Sequence, residues 1–237
     1  MIFIYFYHIP KTGGTTLHNN IVNICNKYKS KIINFNFRPT ELPKNPLYIR
    51  YDEVFNTFNK NNYDIIYIHH HLGFQGLFES KNELINHKKK LELEGHSLIF
   101  ITVIREVISF NTSFINFLNL WNFKVSKSYY LNNDIFNDIQ TKFLFYNLST
   151  HYKPKKEITE EDLDTLSELL DFIINLDDLD RFITLLYKKF NINQEKQLKN
   201  KKFNIGNKLI TFADNKKEIL DKNVLDNILI KKFKNRK

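Results

Sequence analysis

The sequence predicts an α/β fold, a central and mostly parallel sheet flanked by helices, and three observations predict it. Short apolar runs alternate along the chain with stretches of helical length, which is the pattern of strand–helix–strand units. The longest run, Ser97–Ile104, is apolar on both faces, as a central parallel strand must be. Each clear strand also ends in a titratable or cationic residue: His8, then His69-His70-His71, then Arg105. Parallel α/β sheets bind ligands at the carboxyl ends of their strands, so this pattern by itself directs three polar groups to one edge.

The elements follow in order. Ile2–Tyr7 reads as the first strand, a Pro-Lys-Thr-Gly-Gly-Thr-Thr turn follows, and Leu17–Tyr28 reads as a helix. Residues 29–50 form a connection containing Pro39, Pro43 and Pro46, which exclude a long helix, with a short strand at Ile32–Phe37. A short helix is expected over 51–60 and a strand over Asp64–Ile68. Residues 79–94 are heavily charged and read as an exposed helix with Leu84, Leu91 and Leu93 on its sparse apolar face, stopped by Gly95. After the strand Ser97–Ile104 come helices over about 107–121 and 133–149. Thr159-Glu160-Glu161-Asp162 resembles a capping box that opens a further helix. A strand at Asp171–Leu176 and helices at about 178–190, 212–221 and 223–234 complete the chain.

Composition sets the class. The chain has 237 residues, 42% of them apolar, which is enough to build one core, and we expect one domain spanning 1–237. A net charge of +9 makes an acidic partner plausible, whether nucleotide, glycan, nucleic acid or anionic surface. The single cysteine, Cys25, excludes an internal disulfide and a cysteine-type zinc site, and its place on a helix makes it a small core residue. No apolar run approaches membrane-spanning length and no cleavable leader is visible, so a soluble, cytoplasmic protein is expected.

The turn after the first strand carries the chemistry. Two glycines, Gly13 and Gly14, let the backbone turn sharply and expose its N–H groups. Those amides, the start of a helix dipole, Lys11 and the hydroxyls of Thr12, Thr15 and Thr16 converge as an oxyanion site. The order differs from the Walker pattern because Lys11 precedes the glycines, which weighs against a nucleotide-dependent phosphotransferase.

His8-Ile9-Pro10-Lys11-Thr12-Gly13-Gly14-Thr15-Thr16-Leu17 resembles the 5′-phosphosulfate loop of sulfotransferases that use 3′-phosphoadenosine 5′-phosphosulfate (PAPS), and is similar above all to the carbohydrate branch that includes the heparan sulfate 6-O-sulfotransferases. The resemblance implies a P-loop-type three-layer fold, PAPS as sulfuryl donor, no metal and an acceptor hydroxyl, carried by a glycan. It assigns Lys11, Thr12, Gly13, Gly14, Thr15 and Thr16 to the donor.

Arg105 through Ser113 is similar to the family's 3′-phosphate segment, an arginine after a strand and a serine eight residues later. A guanidinium grips a phosphate with two parallel N–H donors, and a hydroxyl two turns into the next helix can donate to the same group. The family usually has Asp-Pro after the arginine and a second arginine before the serine, where this chain has Glu106-Val107 and Phe110. These departures, with His70 in a usual glycine position, favour as the alternative a non-catalytic binder of anionic glycan or nucleic acid with a decayed cofactor site.

The His69-His70-His71 cluster admits a metal site, but neighbours on an extended segment point in opposite directions, which argues against three of them sharing one ion. The family's histidine base at the end of this strand aligns with His71 in His71-Leu72-Gly73-Phe74, with His69 and His70 left open as bases. An unperturbed imidazole accepts a proton near neutrality. Asn137–Leu144, Phe172–Phe190 and Phe203–Gly206 resemble later family segments more loosely, and Lys201, Lys202 and Lys208 flank the last of these.

Overall fold

The protein is described here by a computed structural model covering residues 1–35, 50–56, 62–71, 77–146, 157–193 and 210–234. Five strands, β1 (Ile2–Tyr7), β2 (Ser30–Phe35), β3 (Ile65–His70), β4 (Ser97–Ile104) and β5 (Phe172–Asn175), form one sheet in the order β2-β3-β1-β4-β5, with every pairing parallel. The described helices are α1 (Gly14–Cys25), α2 (Tyr51–Asn56), α3 (Lys81–Leu93), α4 (Val107–Leu120), α5 (Lys127–Leu131), α6 (Ile139–Phe145), α7 (Glu160–Leu169), α8 (Leu179–Lys189), α9 (Lys216–Lys222) and α10 (Val224–Phe233). The fold is thus three-layered α/β, as the alternating pattern predicts.

The period of two in β1 divides its side chains between two cores. Ile4 and Phe6 join Leu17, Ile21 and Ile24 of α1 and Ile183 and Tyr187 of α8. Phe3, Tyr5 and Tyr7 join the opposite layer with Leu84 and Leu91 of α3, Phe110 and Ile115 of α4, Leu144 of α6, Leu163 of α7 and Leu229 of α10. Cys25 is fully buried in the first core and unpaired, and burial pushes its thiol up to about 11.

The topology fixes where a ligand can sit. The chain leaves β1 through α1 toward β2 and leaves β4 toward β5, with α1 and α4 on opposite faces. β1 and β4 are therefore neighbours whose connections diverge, and a crevice opens between them at the carboxyl edge.

Several elements differ from the sequence reading for physical reasons. β3 does not end at Ile68 but runs through His69 and His70, which pair in register with Phe6 and Tyr7 of β1. Imidazoles are tolerated there because the neighbouring rings stack on them, Phe6 on His69 and Tyr7 edge-on to His70. Leu93 is 90% exposed. The third buried position of α3 is His87, whose ring packs 4.9 Å from Phe55. The expected helix over 133–149 breaks into a short turn at Asp134–Phe136 and α6, because Asp138 adopts φ +51 between them. The five-residue α5 carries too little periodicity to be read from sequence. The capping box forms as expected, with Thr159 accepting from the Asp162 amide and Asp162 accepting from the Thr159 amide. Pro39, Pro43, Pro46, Leu72, Gly73, Phe74, Lys201, Lys202, Phe203–Gly206, Lys208 and the last three residues lie outside the described residues.

Candidate functional site

The loop after β1 is built from two left-handed residues and two buried bonds. Lys11 has φ +67 and Gly13 φ +91. The first is uncommon for a residue with a side chain and persists only when its surroundings hold it. Two contacts do so: the Thr12 hydroxyl donates to the Ile9 carbonyl at 2.8 Å, and Arg105 Nη1 donates to the Lys11 carbonyl at 3.0 Å. Thr12 is fully buried and its hydroxyl proton is committed, so it shapes the turn and leaves ligand contacts to its backbone and its neighbours. Gly13 caps α1 with no side-chain bond to the first amides, which lie at the positive end of the helix. Thr15 is exposed on that first turn, and Thr16 is buried with its amide on the Gly13 carbonyl at 3.0 Å.

Gly14 is required by contact. A Cβ there would stand 2.1 Å from His8 Cδ2 and 2.3 Å from His8 Nε2. The His8 ring cannot swing aside freely, because its Nδ1 shares a 3.0 Å hydrogen bond with His69 Nε2. Gly14→Ala is therefore expected to lower stability by about 1–3 kcal/mol, the usual cost of overpacking. Urea unfolding checks this, and a wild-type midpoint would show that His8 yields.

Arg105 closes the crevice from β4. Its backbone is clamped by Gln140, with Arg105 N on Oε1 at 2.8 Å and Nε2 on the Arg105 carbonyl at 2.8 Å. Gln140 and Thr141 open α6, and their amides donate to Asp226 of α10, a fully buried carboxylate that also accepts from the Thr141 hydroxyl at 2.8 Å. Burial and the nearby Asp138 hold Asp226 up at about 7. The side chain of Arg105 donates through Nε to Ser109 at 2.8 Å and through Nη1 to Lys11, so two of its five N–H groups are engaged. Ser113, partly buried, lies one turn beyond Ser109 on α4, and Phe117 one turn beyond that. Sequence reasoning missed Ser109, although its position midway between Arg105 and Ser113 is itself the signal.

Lys11 Nζ lies 5.3 Å from the centre of the Phe117 ring, a cation–π contact. Burial lowers the Lys11 ammonium and the Arg105 guanidinium lowers it further. Two cations from β1 and β4 thus share one crevice, an arrangement an anion between them would relieve. Two buried polar atoms at the same edge have no hydrogen-bond partner among the described residues, His69 Nδ1 and Asn175 Nδ2, the latter on the last residue of β5. Buried polar groups are normally satisfied, so a polar ligand at this edge fits the residues present.

The three consecutive histidines separate. His70 faces the second core and bonds Tyr5 through Nδ1 at 2.7 Å. His69 and His71 face the α1 side, where they meet His8, which the sequence places at the same edge, and His18, which the sequence reading does not join to them. Ring centres lie 4.4 Å apart for His8–His71, 4.1 Å for His18–His69 and 5.8 Å for His69–His71. His18 Nδ1 also bonds the Tyr67 hydroxyl at 2.9 Å. His69 and His70 are buried, whereas His71 retains partial exposure. Burial first, and neighbouring imidazoles second, push all of them down: His69 to about 2, His70 to about 3, His71 to about 4. All three are neutral at physiological pH. Among the described residues no group of three His, Cys, Asp or Glu side chains is arranged to hold a metal ion.

No protein-family model matches this chain, and no curated protein matches it. No helix among the described residues is long and apolar enough to cross a membrane.

Proposed function

We propose that the protein is a PAPS-dependent sulfotransferase that moves a sulfuryl group to an acceptor hydroxyl on a carbohydrate. The observation that carries this reading is the bond from Arg105 Nη1 to the Lys11 carbonyl. It joins the two anion-binding segments, 94 residues apart in sequence, in the crevice between β1 and β4.

PAPS supplies a sulfuryl group on a phosphate leaving group. The first amides of α1, with Thr15 and Thr16, would hold the 5′-phosphosulfate, and Lys11 would supply positive charge to it. Arg105, with Ser109 and Ser113, holds the 3′-phosphate. Neutral His71 accepts the acceptor proton as that oxygen attacks sulfur and the bond from sulfur to phosphate breaks. Donors fixed before the reaction stabilise charge that grows on the leaving phosphate, so they lower the barrier more than they tighten the ground state.

Titration with 3′-phosphoadenosine 5′-phosphate, the desulfated product, tests the reading by calorimetry, with ATP and magnesium as the control. Metal-independent binding in preference to ATP supports it. Arg105→Ala is expected to weaken that binding by about 10-fold or more, since a charged hydrogen bond is worth about 1.5–3 kcal/mol. An unchanged affinity removes the assignment of Arg105.

A second reading, a glycan or nucleic-acid binder with a decayed cofactor site, draws on one observation. Phe110, where the family usually carries its second arginine, is fully buried in the core, so among the described residues Arg105 is the one guanidinium at a position where that family has two. Heparin or DNA binding without nucleotide binding would favour it.

A further inference from the structure

We infer that the loop joining α4 to α5 is the acceptor subsite, with Trp121 as the platform on which a sugar ring of an acidic oligosaccharide stacks. The inference deepens the sulfotransferase reading and rests on it for the word acceptor, though the binding surface itself does not depend on it. It starts from an anomaly. Leu120, Trp121 and Phe123 are 79%, 40% and 49% exposed, within four consecutive residues of a chain that buries most of its aromatic rings.

The loop is built to hold them outward. Asn122, just past the end of α4, takes the left-handed conformation at φ +63 that asparagine commonly adopts there, and Lys124 follows at φ +49, which a lysine adopts only under constraint. The constraint is Asn119. Its amide donates to the Val125 carbonyl at 2.9 Å and its carbonyl accepts from the Val125 amide at 2.6 Å, closing the loop on itself. Val125 is buried beneath, so the loop is pinned at its base while its aromatic tip faces solvent. Exposed aromatic rings on a loop whose backbone is pinned are the arrangement of a binding surface, because aromatic side chains lose little entropy on contact.

Position and charge select the occupant. Trp121 meets Phe117 edge-on at 6.0 Å, and Phe117 carries the Lys11 ammonium at 5.3 Å. Two ring contacts therefore connect the exposed platform to the anion-binding loop. Lys124 is exposed on the same turn, and Lys127 follows with its ammonium 5.9 Å from the Phe212 ring. Aromatic faces with flanking cations suit a ligand with apolar C–H faces, hydroxyls and carboxylates or sulfates, which describes an acidic saccharide.

Trp121 is the only tryptophan in the chain, so its fluorescence reports this loop alone. We would titrate the wild-type protein with a uronate-containing octasaccharide prepared from heparin, with maltooctaose as the neutral control and phosphatidylserine vesicles as the membrane control. The expected result is a blue shift and intensity change with the acidic octasaccharide alone. Trp121→Ala should weaken octasaccharide binding by about 10-fold or more by calorimetry, as for a binding hot spot, and Trp121→Phe should recover part of it. Both variants should bind 3′-phosphoadenosine 5′-phosphate within about twofold of wild type. That nucleotide affinity also shows that the variants fold. An emission change with vesicles but not with saccharide overturns the inference, as does octasaccharide binding that ignores Trp121. If the octasaccharide moves Trp121 emission while the nucleotide does not bind, the sulfotransferase reading fails and the saccharide surface stands.

Discussion

Lys11→Ala is expected to lower the rate of sulfuryl transfer by about 100-fold or more, the usual loss when one preorganised donor to a developing anion is removed, about 2.7–4 kcal/mol of barrier. The site explains why the effect should fall on turnover. Lys11 is held with its backbone at φ +67 by Arg105 and its ammonium on Phe117, partly desolvated and beside a second cation. An ammonium in that setting gains most from an anion whose charge is increasing, which is the leaving phosphate during transfer. Single-turnover transfer at saturating PAPS, to an acceptor or to water, measures the step directly. Lys11→Met keeps the apolar stem against Phe117 and should lose as much rate as alanine. A rate within threefold of wild type in either variant would show that the ammonium does not act in the transition state. This pattern is the converse of Arg105→Ala, where affinity rather than rate should move.

The strand–helix alternation made the layered fold readable, and the three strand ends made readable that His8, the histidine cluster and Arg105 share one edge, because parallel strands announce themselves as apolar runs and their last residues as polar interruptions. The contact between Lys11 and Arg105 was readable only as a shared edge. Its cause is the strand order, which puts β1 beside β4 although β2 and β3 intervene in sequence. The histidine cluster was half visible. His69-His70-His71 are adjacent and obvious, but the partners of His69 and His71 are His8 and His18, which sit on β1's exit and on α1. His8 carries the same alternation as Ile4 and Phe6, so its facing toward α1 was implicit in the period of two. The bond of Thr12 was not readable for a different reason: a hydroxyl in a phosphate-type loop reads as a ligand donor, and its use in closing the turn on Ile9 depends on backbone geometry that the sequence does not state. The Asn119–Val125 clamp is likewise invisible, since its six-residue spacing matches neither helix nor strand.

Acidification from pH 7 to pH 5.5 is expected to remove at least about 2 kcal/mol of folding stability, and the histidines decide the sign. His8, His69, His70 and His71 are all held below their ordinary value, chiefly by burial and then by neighbouring imidazoles, with Lys11 also acting on His8. An unfolded chain protonates histidine near pH 6.5, whereas the folded chain keeps His69, His70 and His71 neutral down to about pH 4 or lower and holds His8 well below its ordinary value. Below pH 6.5 the unfolded state therefore binds more protons, and each histidine shifts the folding equilibrium by about tenfold per pH unit toward unfolding. Over the stated interval His69, His70 and His71 together lose about 4 kcal/mol, and His8 acts in the same direction. Asp226 opposes them, because its folded carboxyl is raised to about 7 and takes up its proton before the unfolded one does. It returns about 2 kcal/mol across the same interval, and Asp138, also raised by burial, acts in the same direction at lower pH. A net loss of at least about 2 kcal/mol is a sizeable part of a typical domain's 5–15 kcal/mol. Urea midpoints measured at pH 7, 6.5, 6 and 5.5 should fall steadily, and a constant midpoint would mean that the imidazoles are not buried neutral together. His70→Gln provides the internal control. It can retain a bond to Tyr5 while removing one titrating group, so stability should depend less on pH by about one factor of ten per unit. The same neutrality bears on catalysis: His71 enters the reaction as a free base at every pH where the fold persists, and the acid limb of the rate profile should follow unfolding rather than its titration.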